Sequence, residues 1–339
     1  MAIRFDIPML FRREYIDGLA GLEKEELVQI GSVYGAIQKS VIGQARFSKK
    51  IPQLDHQELA HFVKKVHDLG IEFHYTLNSP WNGMLERYTE NRNDIKTEIS
   101  SIIGTGIDAL VLANPYLIAF VKDNWPELKI IGSINLQTAT AYRFNKLLKD
   151  GCHRVVLDRT VNRNIRFLKM LKIQGQNYSL LVNSTCLFDC PLQQYHANEN
   201  GALSSGSDLN VIDTEFCLKY CISAFNQQKE NFLKATWIRP EDLSLYENIG
   251  VKNLKIQGRT LEPKILLDLI RAYLNRSTPN DSLFYIFPGF EKQFPEISDK
   301  LKNSSLDKIG FVESFFSTER NCSELCFTCD YCTNTFKKI

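Results

Sequence analysis

Short runs of Val, Ile and Leu alternate along this 339-residue chain with stretches in which apolar residues recur every three to four positions. That alternation marks repeated βα units around parallel strands: strands buried on both faces read as continuous apolar runs, whereas surface helices carry one apolar stripe. Eight runs fit strands, at 30–36, 71–76, 108–112, 129–134, 153–157, 178–182, 234–238 and 253–256. The spacing predicts helices over 55–69, 115–124, 138–149, 162–171 and 262–274. In the first of these, Leu59, Phe62, Val63 and Val66 share a face and Asp55 is placed to cap the amino terminus. Eight units predict an α/β fold, a TIM-type (β/α)8 barrel over residues 1–275 with a small cysteine-rich C-terminal extension. A packing segment over 276–318, with Pro279, Pro288, Pro295 and the aromatic run Phe284, Tyr285 and Phe287, leads into the cysteine-rich tail at 319–339.

A barrel of this type does its chemistry at the carboxyl ends of its strands. The polar residues just past the predicted strands are Asn78, Asn114, Asn135, Gln137, Asp158, Arg159, Asn183, Arg239, Gln257 and Arg259. The connection over 183–233 is far longer than an ordinary βα loop, which marks a functional insertion. It carries Cys186 and Cys190, then Cys217 and Cys221, two matched C-x3-C pairs. Four thiolates gathered by one loop are the ligand set of a 4Fe-4S cluster. A structural zinc ion takes similar pairs, and four unligated buried thiols are the plainest alternative. Location favours the cluster, because a barrel with its own core does not need zinc at its mouth to fold.

A second thiol group, Cys322, Cys326, Cys329 and Cys332, forms a C-x3-C-x2-C-x2-C run in the tail. A second 4Fe-4S cluster, a zinc ion or a redox-active tail all fit it. Its first three cysteines share the spacing of radical-SAM enzymes, but they follow the whole barrel instead of its first strand. Cys152 opens a strand on the opposite, structural face and reads as a buried thiol. His196 is placed to bond a cluster sulfur, to donate a proton to substrate, or simply to satisfy its own loop. Arg159, Arg239 and Arg259, at three strand ends, are candidates for clamping a small anionic organic substrate. The competing reading pairs them with Asp158, Glu241 or Asp242.

Composition narrows the setting. Hydrophobic residues make up 44% and charged residues 24%, and the net charge of +2 comes without a basic run, so a nucleic-acid surface is not indicated. The first twenty residues hold scattered charges and no long apolar stretch, so neither a secretory signal nor a membrane segment is expected and a cytoplasmic location is. In that reducing compartment nine cysteines point to metal or redox chemistry over disulfides.

Two segments carry a family resemblance. Trp237, Ile238, Arg239, Pro240, Glu241, Asp242 and Leu243, leading through Gly250 and Val251 to Lys255, Ile256, Gln257, Gly258 and Arg259, resemble a signature of the U32 peptidases, the collagenase-like group. Gly151 to Arg159 is similar to that family's Arg-containing strand, and the likeness extends over 29–275. Gln257 stands where the family pattern has Glu, and Cys186 and Cys190 are closer together than the family's usual pair. The resemblance implies an iron–sulfur protein that carries out or supports an oxygen-independent hydroxylation or related redox modification, of the kind family members perform on ubiquinone precursors and RNA. It also implies a prephenate-like donor, and a second U32-type protein or an electron donor as partner. A peptidase and a non-catalytic iron–sulfur subunit are the alternatives. The chain contains neither a Gly-x-Ser-x-Gly nor a His-Glu-x-x-His motif.

Overall fold

The computed structural model describes residues 3–37, 40–46, 52–81, 83–84, 91–175, 177–204, 216–318, 322 and 326–339. Eight parallel strands close into a barrel in chain order: β1 (Arg4–Pro8), β2 (Ile30–Gly35), β3 (Glu72–Leu77), β4 (Ala109–Leu112), β5 (Lys129–Gly132), β6 (Arg154–Val156), β7 (Tyr178–Leu181) and β8 (Asn253–Lys255). Helices α1 (Arg13–Ala20), α2 (His56–Asp68), α3 (Arg92–Ile103), α4 (Pro115–Asn124), α5 (Ala141–Lys149) and α6 (Ile165–Ile173) fill the crossovers from β1 to β7. The long β7–β8 connection holds α7 (Gln193–Ser204), α8 (Phe216–Gln227), α9 (Asn231–Lys234) and α10 (Leu243–Asn248); α11 (Pro263–Leu274) follows β8. The predicted cap at Asp55 holds. Asp55 accepts a hydrogen bond from Glu58 N and forms a reciprocal capping box with it. Asn114 accepts from Tyr116 N at the start of α4.

The barrel has the expected eight strands, but one of those expected is not among them. The 234–238 run is not a strand: Lys234 ends α9, and the extended residues after it give β7 one backbone hydrogen bond, Ile238 N to Val182 O at 2.8 Å. β7 pairs directly with β8, Ser179 opposite Asn253 and Leu181 opposite Lys255, which leaves no slot between them. The missing member is β1, which closes the ring between β8 and β2. Its sequence, Arg-Phe-Asp-Ile-Pro, hides the strand because Asp6 points into the barrel, where Arg154 Nη2 and Ser32 Oγ donate to Oδ1 at 2.9 and 2.6 Å.

Two apolar bodies flank the sheet. Alternate strand residues such as Leu110 and Leu112 join the main core beneath the helices, while Ala109, Val111, Ile131 and Val156 form a small separate plug. After α11 the chain folds back over the β7–β8 connection. Phe284, Phe290 and Phe294 meet Phe225 of α8 and Phe232 of α9, with Phe225–Phe232 centroids 4.5 Å apart and Phe232–Phe294 5.0 Å. No described helix is long and apolar enough to cross a membrane.

Candidate functional site

β7 ends at Leu181, and its continuation carries the first thiol pair to the barrel mouth. Asn183 fixes this exit to β8: its Nδ2 donates to Gln257 O at 2.9 Å, Gln257 N donates to its Oδ1 at 2.8 Å, and Gln257 Nε2 donates to Asn183 O at 2.7 Å. Between Cys186 and Cys190 the chain turns through Asp189 at φ 47°, a left-handed conformation that Asp tolerates better than most side chains. Cys217 and Cys221 lie one turn apart on α8, hence on one face. All four line one cavity of about 370 Å³ that opens at the carboxyl ends of the strands. Burial pushes the Cys221 thiol up to about 12, with Cys186 and Cys190 adding to the rise, and pushes Cys217 up to about 11, with Glu199 and Cys190 adding. The two pairs therefore face a common space and feel each other's charge. Among the described residues no three His, Cys, Asp or Glu side chains stand at the spacing of a single metal ion. Four thiols around one cavity are a donor set that would suit a 4Fe-4S cluster.

Helix α7 forms one wall of this cavity. Gly201 lets it pass close to the loop after β3, since a Cβ there would stand 2.2 Å from Ser79 Oγ. Its last residue, Ser204, accepts from Gln44 N at 2.6 Å, and Ala45 N donates to Asn78 Oδ1 at 3.3 Å. These bonds bend the segment after β2 over the mouth and bring in Arg46, which no motif or periodicity marks.

Arg46, Arg159 and Arg259 line the cavity together, and the Nε of each is buried without a hydrogen-bond partner among the described residues. Arg259 Nη1 donates to Thr76 Oγ1 at 3.1 Å, and its guanidinium lies 5.4 Å from the Tyr34 ring centroid. Lys255, the last residue of β8, places Nζ 3.1 Å from the same centroid. Burial lowers Arg46 to about 9, with the neighbouring Arg259 adding to the fall, and lowers Lys255 to about 7 although Asp6 opposes it. Four cations thus share one pocket whose described lining contains no Asp or Glu; Glu199 stands against Cys217, and Asp6 lies below Lys255 in the barrel. Asp158 is occupied elsewhere, accepting from Thr160 N and from Gln193 Nε2 at 2.9 and 2.6 Å.

Of the other expected residues, His196 lies on the cavity wall, where burial lowers its pKa. Asn78 and Asn135 also line the mouth, joined by Asn135 Nδ2 donating to Asn78 O at 3.1 Å. Arg239 is not part of the site. It is 1% exposed and forms two parallel bonds with Asp242, Nε to Oδ2 at 2.8 Å and Nη2 to Oδ1 at 2.7 Å, while Nη2 also reaches Asp307 Oδ1 at 2.7 Å. The strand end that seemed to place it at the mouth does not exist, and the acid three residues on claims it. Cys152 is buried and its thiol is pushed up to about 12, as expected of a structural cysteine. The tail thiols form a separate group, outside the mouth cavity, beside Arg163 and α9.

The sequence model of peptidase family U32 matches residues 31–180, β2 to β7. The uncharacterized protease MJ1657 of Methanocaldococcus jannaschii is 25% identical over 288 residues, covering 83% of this chain and 81% of that protein. The chain is a relative of the U32 peptidases. The tRNA hydroxylation protein P of Escherichia coli (strain K12) is 25% identical over 123 residues, 35% of this chain. That match spans 26% of the Escherichia coli protein, so the chain aligns with about a quarter of it. The solved structure of the U32 peptidase Mk0906 shares the barrel fold, with a TM-score of 0.57 and 13% identity over 76% of this chain and 94% of that one. The stretch matched by the U32 model ends at β7, before the first mouth cysteine.

Proposed function

We propose that this U32-type barrel is an iron–sulfur protein that carries out or supports an oxygen-independent hydroxylation or related redox modification, using a small anionic organic donor. One observation carries the proposal: four thiols and three arginines whose Nε atoms have no partner among the described residues line the same cavity. Cys186, Cys190, Cys217 and Cys221 would hold a 4Fe-4S cluster, which when bound supplies one-electron chemistry. Arg46, Arg159 and Arg259 bind the donor's carboxylates, since a planar guanidinium presents two parallel donors to a carboxylate. A prephenate-like dicarboxylate suits two such clamps. Lys255 sits close enough to neutrality to lose or take up a proton on the barrel side of the pocket. The partial likeness to a tRNA hydroxylation protein supports the reaction class and leaves the acceptor open.

The test joins two measurements on anaerobically reconstituted protein. Changing Cys186, Cys190, Cys217 and Cys221 together to Ser is expected to remove about four irons per chain. Arg46→Met and Arg259→Met are each expected to weaken prephenate binding about 10- to 100-fold, the value of a charge-assisted hydrogen bond, read by titration calorimetry. Iron content indifferent to the mouth cysteines, or peptide cleavage that persists without them, would overturn the reading in favour of a hydrolase.

A further inference from the structure

The tail packs against the barrel at one place, beside a buried cation that lacks a full set of partners. Helix α12 (Tyr331–Phe336) lies on α9, and Cys332 Sγ is 3.7 Å from Leu233 O. Tyr331 stacks on Phe311, centroids 5.5 Å apart and planes 6° from parallel, and its hydroxyl donates to Phe311 O at 3.1 Å. The same Leu233 carbonyl accepts from Arg163 Nη1. Arg163 is 2% exposed, with its guanidinium carbon 4.6 Å from the Trp237 ring centroid, 4.8 Å from Phe315 and 5.2 Å from Phe311. Its Nη2 is buried and has no hydrogen-bond partner among the described residues. A buried guanidinium that these residues hold by aromatic faces and one carbonyl is costly unless an anion stands beside it.

The anion is built into the tail. The half-buried Cys332 stands on the Leu233 carbonyl that Arg163 also holds, and Cys326 and Cys329 are joined through one tight turn, Cys329 N donating to Cys326 O at 3.3 Å. We infer that Cys322, Cys326, Cys329 and Cys332 form a second tetrathiolate centre, a 4Fe-4S site, for which Arg163 is the built-in counter-cation. The four cysteines fall within eleven residues at gaps of three, two and two, an all-thiolate set that suits an iron–sulfur cluster or zinc, and the metal counts below decide between them. The site is distinct from the mouth, yet one loop separates them: Leu187 lines the mouth cavity and also the groove that holds Asp189 and Cys326.

The experiment reconstitutes the full chain anaerobically with ferrous iron and sulfide and counts metal in three proteins. Wild type is expected to bind about eight irons, and the fourfold Cys→Ser variants of the tail and of the mouth about four each. Circular dichroism melting of each variant separates loss of a centre from loss of the fold. Failure of the mouth proposal alone would leave iron that vanishes with the tail cysteines. In the mouth variant, where only the tail centre remains, Arg163→Met is expected to lower its reduction potential, because removing a cation disfavours the more negative reduced state. Iron unaffected by the tail cysteines, one tail-bound zinc per chain, or a potential indifferent to Arg163 would overturn the assignment.

Discussion

Lys255 sits inside the barrel with its ammonium against the face of Tyr34, and burial brings it down to about 7 from 10.5. The unfolded chain keeps that proton up to its ordinary pKa, so between about 7 and 10.5 the unfolded state binds more protons than the folded one. Stability therefore rises with pH across that window, and below it the cost of burying the charge is felt in full. Lys255→Met removes this dependence. The stability difference between variant and wild type, from urea denaturation at several pH values, should favour the variant most below neutrality and shrink as pH rises; a constant difference excludes the assignment. Lys255 was not legible in the sequence, since a charged residue in a strand reads as solvent-facing. Arg46 escaped for another reason: it lies well past β2 in a loop with no periodicity, and only Gln44 and Ala45 bring it over the mouth. Arg159 and Arg259 were legible because each closely follows a strand that exists.

At the scale of elements, β1 carries the same lesson. Its two charges masked a strand whose Asp6 is a buried partner for Arg154, Ser32 and Ser179. Burial alone would raise the Asp6 carboxyl, but Arg154, Lys255 and His74 outweigh it and hold the group below the usual carboxylate range. Asp6→Asn keeps the shape and leaves Arg154 buried without its countercharge, so a loss of about 3–5 kcal/mol is expected from chemical denaturation. The double variant with Arg154→Met should recover part of it, and a single-variant loss below about 1 kcal/mol would show that the pair is already well solvated. The apolar run at 234–238 misled in the opposite direction. Its residues are buried, Trp237 and Ile238 at 1% and 0% exposure, yet they pack beneath the C-terminal segment and pair with nothing as a ladder. Apolar periodicity reports burial, and here burial came from a different layer. The long connection itself was legible, because its length and its matched cysteines were both out of proportion to a simple crossover.

For the whole molecule, Arg239 links the two layers on which both thiol groups depend. It joins Asp242, beside the barrel, to Asp307 and the Asn303 carbonyl of the C-terminal segment. That segment presses Phe290 and Phe294 on Phe225 of α8, the helix bearing Cys217 and Cys221, and lays Phe311 and Phe315 on Arg163 beside the tail thiols. One buried guanidinium thus holds a brace that touches both candidate centres. Arg239→Met removes the cation, leaves the Asp242 carboxylate buried and unpaired, and is expected to cost about 3–5 kcal/mol. The loss should be local before it is global, because the barrel keeps its own core while the segment loses its tether. Hydrogen exchange is expected to quicken across 295–318 with β2 to β5 unchanged, and reconstituted iron to fall at both thiol groups together. If exchange quickens but both groups retain their iron, the segment is a cover and not a brace. If exchange is unchanged, the aromatic contacts alone hold it and the ion pair contributes little.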